Sequence, residues 1–102
     1  MSEAQTEHEA NVVKATLLVI NGPNRGSRFE LSSGGIAVIG RSIGSQIRLD
    51  DAEVSRQHAR LMFDGQGFVL TDLGSVNGTR VNGRSIREYR LRHGDTVSIG
   101  TS

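Results

Sequence analysis

Short runs in which apolar and polar residues alternate recur along most of the chain. A period of two places one face of an extended chain in the core and the other in water, so this pattern predicts β-strands. Two further runs are apolar throughout and predict short buried strands. The alternating runs lie at 28–31, 46–50, 59–64, 68–70 and 97–99, and the apolar runs at 17–20 and 36–39.

Segments rich in Gly and Asn separate these runs. Both residues tolerate positive φ and therefore permit tight reversals of the chain. Short strands separated by frequent turns predict an all-β fold, either an antiparallel β-sandwich or a barrel. The turn segments are NGPNRG at 21–26, SSGG at 32–35, DGQG at 64–67, NG at 77–78 and 82–83, and HGD at 93–95.

Two segments do not fit the strand pattern. Asp50 and Glu53 have the spacing of a helix capping box, and the residues that follow have near-helical spacing, so a short helix over 51–60 is an alternative to a loop. Residues 84–92 lack a coherent apolar face. We expect a loop with short strand fragments there.

The two ends of the chain differ in character. Residues 1–14 include Glu3, Glu7 and Glu9, show no steady periodicity and predict a flexible acidic tail. Residues 15–102 carry the strand pattern and have a length suited to one domain.

Composition narrows the classes of function. The chain has no Cys, which excludes a disulfide frame and a thiolate metal site. A formal net charge of +1 is too small to indicate nucleic-acid binding, and no apolar run is long enough to span a membrane. We therefore expect a cytoplasmic protein, or the cytoplasmic part of a larger one, that binds neither nucleic acid nor membrane. All of the 12 basic residues except Lys14 are Arg, whose planar guanidinium suits phosphate and carboxylate.

Catalysis and metal binding have little support. Ser55 and His58 are close enough in sequence to form a nucleophile and base, but no G-x-S-x-G motif surrounds Ser55. His8, His58 and His93 share no metal-ligand spacing, and the chain has no G-x-x-x-x-G-K-[ST] phosphate loop. We expect no enzyme activity, no metal and no cofactor.

Anion binding is better supported, by three segments that combine small residues with hydrogen-bond donors. They are GRS at 40–42, SR at 55–56 and SVNGT at 75–79. Arg supplies a charged fork, Ser and Thr supply rotatable hydroxyls, and Asn supplies a donor and an acceptor. Loops at one end of a sandwich converge, so these segments predict one pocket for a tetrahedral oxyanion.

In order and spacing, the same segments resemble the forkhead-associated (FHA) domain, a family that binds phosphothreonine peptides. The stretches SQIRLDD at 45–51 and GDTVSIG at 94–100 are also similar to this family, and the resemblance covers roughly residues 16–100. The residues that match the family motifs are Gly40 and Arg41, Ser55 and His58, and Asn77 and Gly78.

This resemblance implies a sandwich of about eleven strands that reads phosphothreonine in a partner protein, as an adaptor downstream of Ser/Thr kinases. Four residues would form the phosphate-binding site. Arg41 and Ser55 would contact the phosphate directly, Arg56 would add positive charge, and Ser75 would lie in the loop beside the phosphothreonine. Asn77 would bind the peptide backbone. For residues 51–60 the resemblance implies a loop and not a helix, followed by a strand that begins near His58.

The resemblance also assigns supporting roles. Gly40 and Gly78 would allow the backbone conformation that the site needs, and Thr79 would give the site structural support. His58 would hold the Ser55 loop against the Asn77 loop. In some bacterial relatives a phosphorylated tail threonine occupies the domain's own pocket, which makes Thr6 a candidate regulatory phosphosite.

One departure from the family lies near residue 102. The family has a further strand after the segment that GDTVSIG resembles, so either this sequence is a piece of a longer chain or the last strand is missing, and an unpaired edge would permit self-association. Two alternatives to phosphothreonine binding remain at this point. One is a protein-interaction or scaffold domain that ignores phosphorylation, and the other is a hydrolase that uses Ser55 and His58.

Overall fold

A computed structural model describes residues 13–102, which form ten β-strands and no helix. The predicted tail falls almost entirely outside the described residues, as does Thr6, and both predictions therefore stay predictions. The strands are β1 Lys14–Leu18, β2 Arg28–Ser32, β3 Ile36–Gly40, β4 Ile47–Arg48, β5 Ala59–Phe63, β6 Phe68–Asp72, β7 Thr79–Val81, β8 Arg84–Ile86, β9 Glu88–Arg90 and β10 Val97–Ile99.

Each run of the predicted strand pattern contributes to an observed strand. The expected strand fragments of 84–92 are β8 and β9. The helix alternative for 51–60 is wrong, because these residues form turns and bends and then enter β5 at Ala59. β7 was not predicted, since it lies between two Asn-Gly turns and has only the residues TRV.

The strands form one larger sheet and two smaller ones, in an all-β sandwich. The five-stranded sheet has the order β4-β3-β5-β6-β9, and only its β3–β4 pair is parallel. The other sheets are β1-β2 and β10-β7-β8, both antiparallel. Burial alternates along β1, β2 and β7, as a period of two predicts.

The hydrophobic core lies between these sheets. Leu61 and Leu70 of the five-stranded sheet are almost fully buried, as are Val81 and Ile99 of the three-stranded sheet. Each such side chain stabilises the fold by about 1.5–3 kcal/mol through removal from water. The core thereby holds the strands that lead into and out of three neighbouring loops, which follow β3, precede β5 and join β6 to β7.

Two strand edges face a common groove. Within residues 13–102, β1 pairs only with β2 and β10 only with β7. Val19 donates its N–H to the carbonyl of Ser27, so alternation directs the backbone groups of Thr16 and Leu18 away from β2. A mostly apolar cavity of about 330 Å³ lies between β1 and β10. β1 therefore offers unpaired backbone groups to another strand, and β10 does so at Val97, since Ile99 is bonded to Ser102.

We expect these open edges to make the chain self-associate. Light scattering should show a mass that rises above that of the monomer as concentration increases. Thr16→Pro removes one N–H from the open edge of β1 and should reduce the association, whereas Thr16→Val keeps that N–H and should not. A parent chain that stays monomeric at all concentrations would show that the open edges do not drive self-association.

Candidate functional site

Backbone and side-chain hydrogen bonds join the three loops that carry the predicted anion-binding residues. Arg41 donates its N–H to the carbonyl of Ser55 at 3.1 Å, and Ser42 donates to that of Arg56 at 3.2 Å. Val76, in the loop between β6 and β7, donates its N–H to Ser55 Oγ at 3.0 Å. The structure thus brings together three segments that are separate in sequence.

Gly40 occupies a position where no side chain fits. A Cβ there would lie 2.0 Å from the carbonyl oxygen of Arg56, which belongs to the loop before β5. The close approach of the two backbones places Arg41 beside Ser55. Gly78 serves geometry in another way, since its φ of 82° lies in the left-handed region that favours glycine.

The Arg41 side chain is exposed but anchored at one point. Its Nε donates to the carbonyl oxygen of Val54 at 3.0 Å, which leaves both terminal amino groups directed elsewhere. The ion pairs among the described residues join Arg48 to Asp50 and Arg90 to Asp64. Arg41 therefore presents a charged fork that no carboxylate of the described part of the chain neutralises. Arg56 is also exposed, and its backbone carbonyl lies beside this segment, where it accepts the Ser42 N–H.

Ser55 is half-buried and uses its polar atoms selectively. Its hydroxyl oxygen accepts the Val76 N–H, and its backbone N–H donates to His58 Nδ1 at 3.0 Å. The hydroxyl hydrogen has no acceptor among residues 13–102. Ser55 can therefore donate this hydrogen to an anion beside Arg41.

His58 is fully buried and bridges two of the loops. Its Nδ1 accepts the Ser55 N–H, so Nε2 carries the ring hydrogen and donates it to the carbonyl of Gly78 at 2.8 Å. These two hydrogen bonds connect the loop that carries Ser55 to the loop that carries Asn77 and Gly78. Both ring nitrogens are occupied and neither bonds Ser55 Oγ, so His58 is not placed to act as a general base for Ser55.

Asp72 organises the loop between β6 and β7 and was not singled out from the sequence. One carboxylate oxygen accepts the hydroxyls of Ser75, at 2.5 Å, and Thr79, at 2.7 Å, and the other accepts the N–H groups of Gly74 and Ser75. Burial raises the pKa of Asp72, but these hydrogen bonds together outweigh it and hold the pKa below its usual value. The signal was present, because Asp72 stands two residues before Gly74, and an Asp side chain that bonds the backbone N–H two residues on forms an Asx turn.

Two predicted site residues already have partners within the chain. The Ser75 hydroxyl donates to Asp72 and accepts the Gly78 N–H, so a phosphate contact by this hydroxyl requires release of Asp72. Exposed Asn77 donates its amide hydrogens to the carbonyl and carboxylate oxygens of Glu53, at 2.8 and 3.0 Å. Its side-chain oxygen stays available as an acceptor. Asn77 also lines a polar cavity of about 310 Å³ beside the loop.

Asp51 is a buried carboxylate close to the site, and its structural role was not predicted from the sequence. It is 2% exposed, and its oxygens accept hydrogen bonds from Glu53 N–H, from the N–H and hydroxyl of Thr101, and from the Ser102 hydroxyl. Burial raises its pKa, but the hydrogen bonds reverse that effect and lower the pKa to about 2.

Asp51 predicts loss of stability in acid. The pKa of Asp51 is about 2 in the folded chain against an ordinary value of 3.8, so its contribution to stability is complete above about pH 5 and disappears as the pH falls toward 2. That contribution is about 2 kcal/mol. Urea unfolding at several pH values should show this loss, with a flatter profile for Asp51→Asn than for Asp50→Asn. Equal profiles for the two variants would contradict the assignment to Asp51.

Residues 13–102 contain no cluster of three or more His, Cys, Asp or Glu side chains arranged to hold a metal ion. Nor do they contain a helix long and apolar enough to cross a membrane.

Comparison with known proteins gives consistent matches across most of the chain. The family model described as the FHA domain matches residues 37–100. The glycogen accumulation regulator GarA of Mycobacterium tuberculosis is 45% identical over 86 residues, which are 84% of this chain and 52% of that protein. The chain thus spans about half the length of that relative. An oxoglutarate dehydrogenase inhibitor of Corynebacterium jeikeium is 39% identical over 96% of this chain and 73% of its own length.

A solved structure extends the similarity to three dimensions. It comes from a structural and functional study of phosphothreonine-dependent FHA domain interactions, and it superimposes with a TM-score of 0.77 at 37% identity. The match covers 87% of this chain and 90% of the other.

Proposed function

Because the chain belongs to the FHA domain family, we propose that it is a binding module for phosphothreonine in partner proteins and acts as a signalling adaptor downstream of Ser/Thr kinases. Kinases of this type use ATP, so the cytoplasm is the expected location. Two relatives are named as a regulator and an inhibitor, which supports a role in controlling other proteins without catalysis by the domain itself.

The observation that carries this proposal is the anchored fork of Arg41 beside Ser55. Its Nε is held by Val54, its terminal amino groups have no carboxylate partner among the described residues, and Ser55 has a hydroxyl hydrogen to donate. A phosphate brings about −1.5 to −2 charges and three acceptor oxygens. The two residues together match those oxygens in charge and in hydrogen-bond type.

The other predicted residues have narrower roles in this proposal. Arg56 adds charge at the edge of the pocket. Asn77 accepts a peptide N–H through its side-chain oxygen, while Glu53 holds its amide nitrogen. Ser75, whose hydroxyl bonds Asp72, lies beside the phosphothreonine and contacts the phosphate only on leaving Asp72.

Phosphorylation provides the discrimination between ligands. A hydrogen bond to a charged group contributes about 1.5–3 kcal/mol, and an unmodified threonine makes none of these contacts with Arg41. We expect a dissociation constant on the order of micromolar, equivalent to about −8 kcal/mol.

The test is calorimetry with a phosphothreonine peptide selected from a library and with the same peptide after phosphatase treatment. We expect binding of the first and no measurable binding of the second. Equal binding of the two would favour the alternative, a phosphorylation-independent scaffold domain on the same fold.

A further inference from the structure

The segment that follows β10 is folded back on itself and held against the loop before β5. Ile99 and Ser102 exchange backbone hydrogen bonds of 3.1 and 2.9 Å, which closes a tight turn. We call residues 99–102 the 99–102 turn. Its Thr101 and Ser102 supply three of the donors that surround buried Asp51. One carboxylate therefore fastens this turn to a loop that lies about fifty residues earlier in the chain.

The backbone of the 99–102 turn packs directly on the loop. A Cβ at Gly100 would lie 2.9 Å from Val54 Cγ2 and 3.0 Å from an Asp51 carboxylate oxygen. There is no room between the turn and Val54 for even a methyl group. Gly100 also has a φ of 59°, in the region where side chains are rare. The turn is therefore a close-packed backing for this part of the loop.

Val54 connects the backing to the candidate pocket. Its side chain is 1% exposed, and its N–H donates to the Asp51 carbonyl at 3.0 Å. Its own carbonyl oxygen accepts Arg41 Nε at 3.0 Å. The position of the guanidinium thus depends on the carbonyl of a residue that Asp51 and Gly100 hold from two sides.

We propose that Asp51 is a positioning residue for the bound phosphate, because it clasps the 99–102 turn against Val54 and thereby fixes the Arg41 guanidinium. Asp51 itself contacts no ligand. An Arg side chain fixed before binding loses less conformational entropy when it meets the phosphate. The effect on affinity rests on the proposed phosphothreonine function, whereas the effect on Arg41 can be observed in the protein alone.

The experiment compares Asp51→Asn with Asp50→Asn, a neighbouring exposed carboxylate that pairs with Arg48 on the surface. Two readouts are recorded for each protein. One is the affinity for a phosphothreonine peptide by calorimetry, and the other is the NMR signal of the Arg41 Nε–H group and its exchange with water. Thr101→Val, which removes one hydroxyl donor, and Thr101→Ser, which keeps it, provide a milder pair if Asp51→Asn does not fold.

We expect Asp51→Asn to weaken peptide binding roughly three- to tenfold, which corresponds to the ordering of one long side chain. Its Arg41 Nε–H signal should shift and exchange faster than in the parent, while Asp50→Asn matches the parent in both readouts. Thr101→Ser should resemble the parent, and Thr101→Val should fall between the parent and Asp51→Asn.

Two results would overturn the proposal. In the first, Asp51→Asn or Thr101→Val binds as the parent does. In the second, binding weakens while the Arg41 signal and its exchange rate stay unchanged, which would mean that the effect does not pass through Arg41. A parent chain that binds no phosphothreonine peptide would instead refute the proposed function, and the Arg41 signal would still show whether Asp51 holds that side chain.

Discussion

Arg41→Ala is expected to weaken binding of a phosphothreonine peptide by about tenfold or more. The variant removes the anchored charged fork, and a hydrogen bond to a charged group contributes about 1.5–3 kcal/mol, with 1.4 kcal/mol equal to a factor of ten. The fold should be unaffected, because the side chain is exposed and its one hydrogen bond to residues 13–102 is to the Val54 carbonyl.

Arg41→Lys tests whether geometry matters beyond charge. An ammonium is a point charge and does not reproduce the planar fork that bonds Val54 and an anion at the same time. We expect Lys at this position to bind nearly as poorly as Ala. Arg28→Ala, at an exposed Arg of β2, is the matched control and should bind as the parent does.

Calorimetry with one peptide across these proteins measures the effect, with circular dichroism to verify the fold. Parent-like binding by Arg41→Ala would remove the pocket assignment. Parent-like binding by Arg41→Lys would show that positive charge is sufficient and that the planar geometry of the guanidinium is not needed.

His58→Ala is expected to lower both stability and affinity. It leaves the Ser55 N–H and the Gly78 carbonyl without their partner in a fully buried position. Each unpaired buried group costs about 1–3 kcal/mol, so the two together lower the stability by about 2–6 kcal/mol. For a domain of this size the melting temperature should fall by about 8 °C or more.

The affinity of His58→Ala should fall even at temperatures where the variant is folded, because the loops that carry Ser55 and Asn77 are no longer held together. His93→Ala, at an exposed His, is the control for both measurements. A melting temperature equal to that of the parent would contradict the role of His58 in holding the two loops together. A lower melting temperature with unchanged affinity in the folded state would limit His58 to stability alone.

Most of the strands could be predicted from the sequence, since burial leaves either a period of two or a short apolar run in them. β7 could not, because TRV between two turns is too short to establish a period. The segment 51–60 was ambiguous because its local pattern fits both the start of a helix and a turn. Asp51 caps the Glu53 N–H as an N-terminal helix residue would, but the chain then continues as a loop. Local hydrogen bonding of this kind is shared by helix starts and turns.

The candidate site divides in the same way. Arg41, Ser55 and Asn77 could be chosen from the sequence as residues able to bind an anion. Their charge and hydrogen-bond donors are properties of the residue type and do not depend on the fold. The residues that orient them could not, because Asp51 and Asp72 are ordinary acidic residues until their partners are known. Asp51 meets Thr101, which lies about fifty residues away.

The sequence by itself determined the strand class of this chain, the places where it turns and the residue types able to hold a phosphate. These properties follow from local periodicity and from side-chain chemistry, both of which can be observed within a few neighbouring residues. Only the tertiary structure decided that three loops share hydrogen bonds, that His58 has no free nitrogen and that the 99–102 turn packs behind Arg41. Such contacts join residues far apart in the chain, and no local pattern records which distant partner a buried polar group will find.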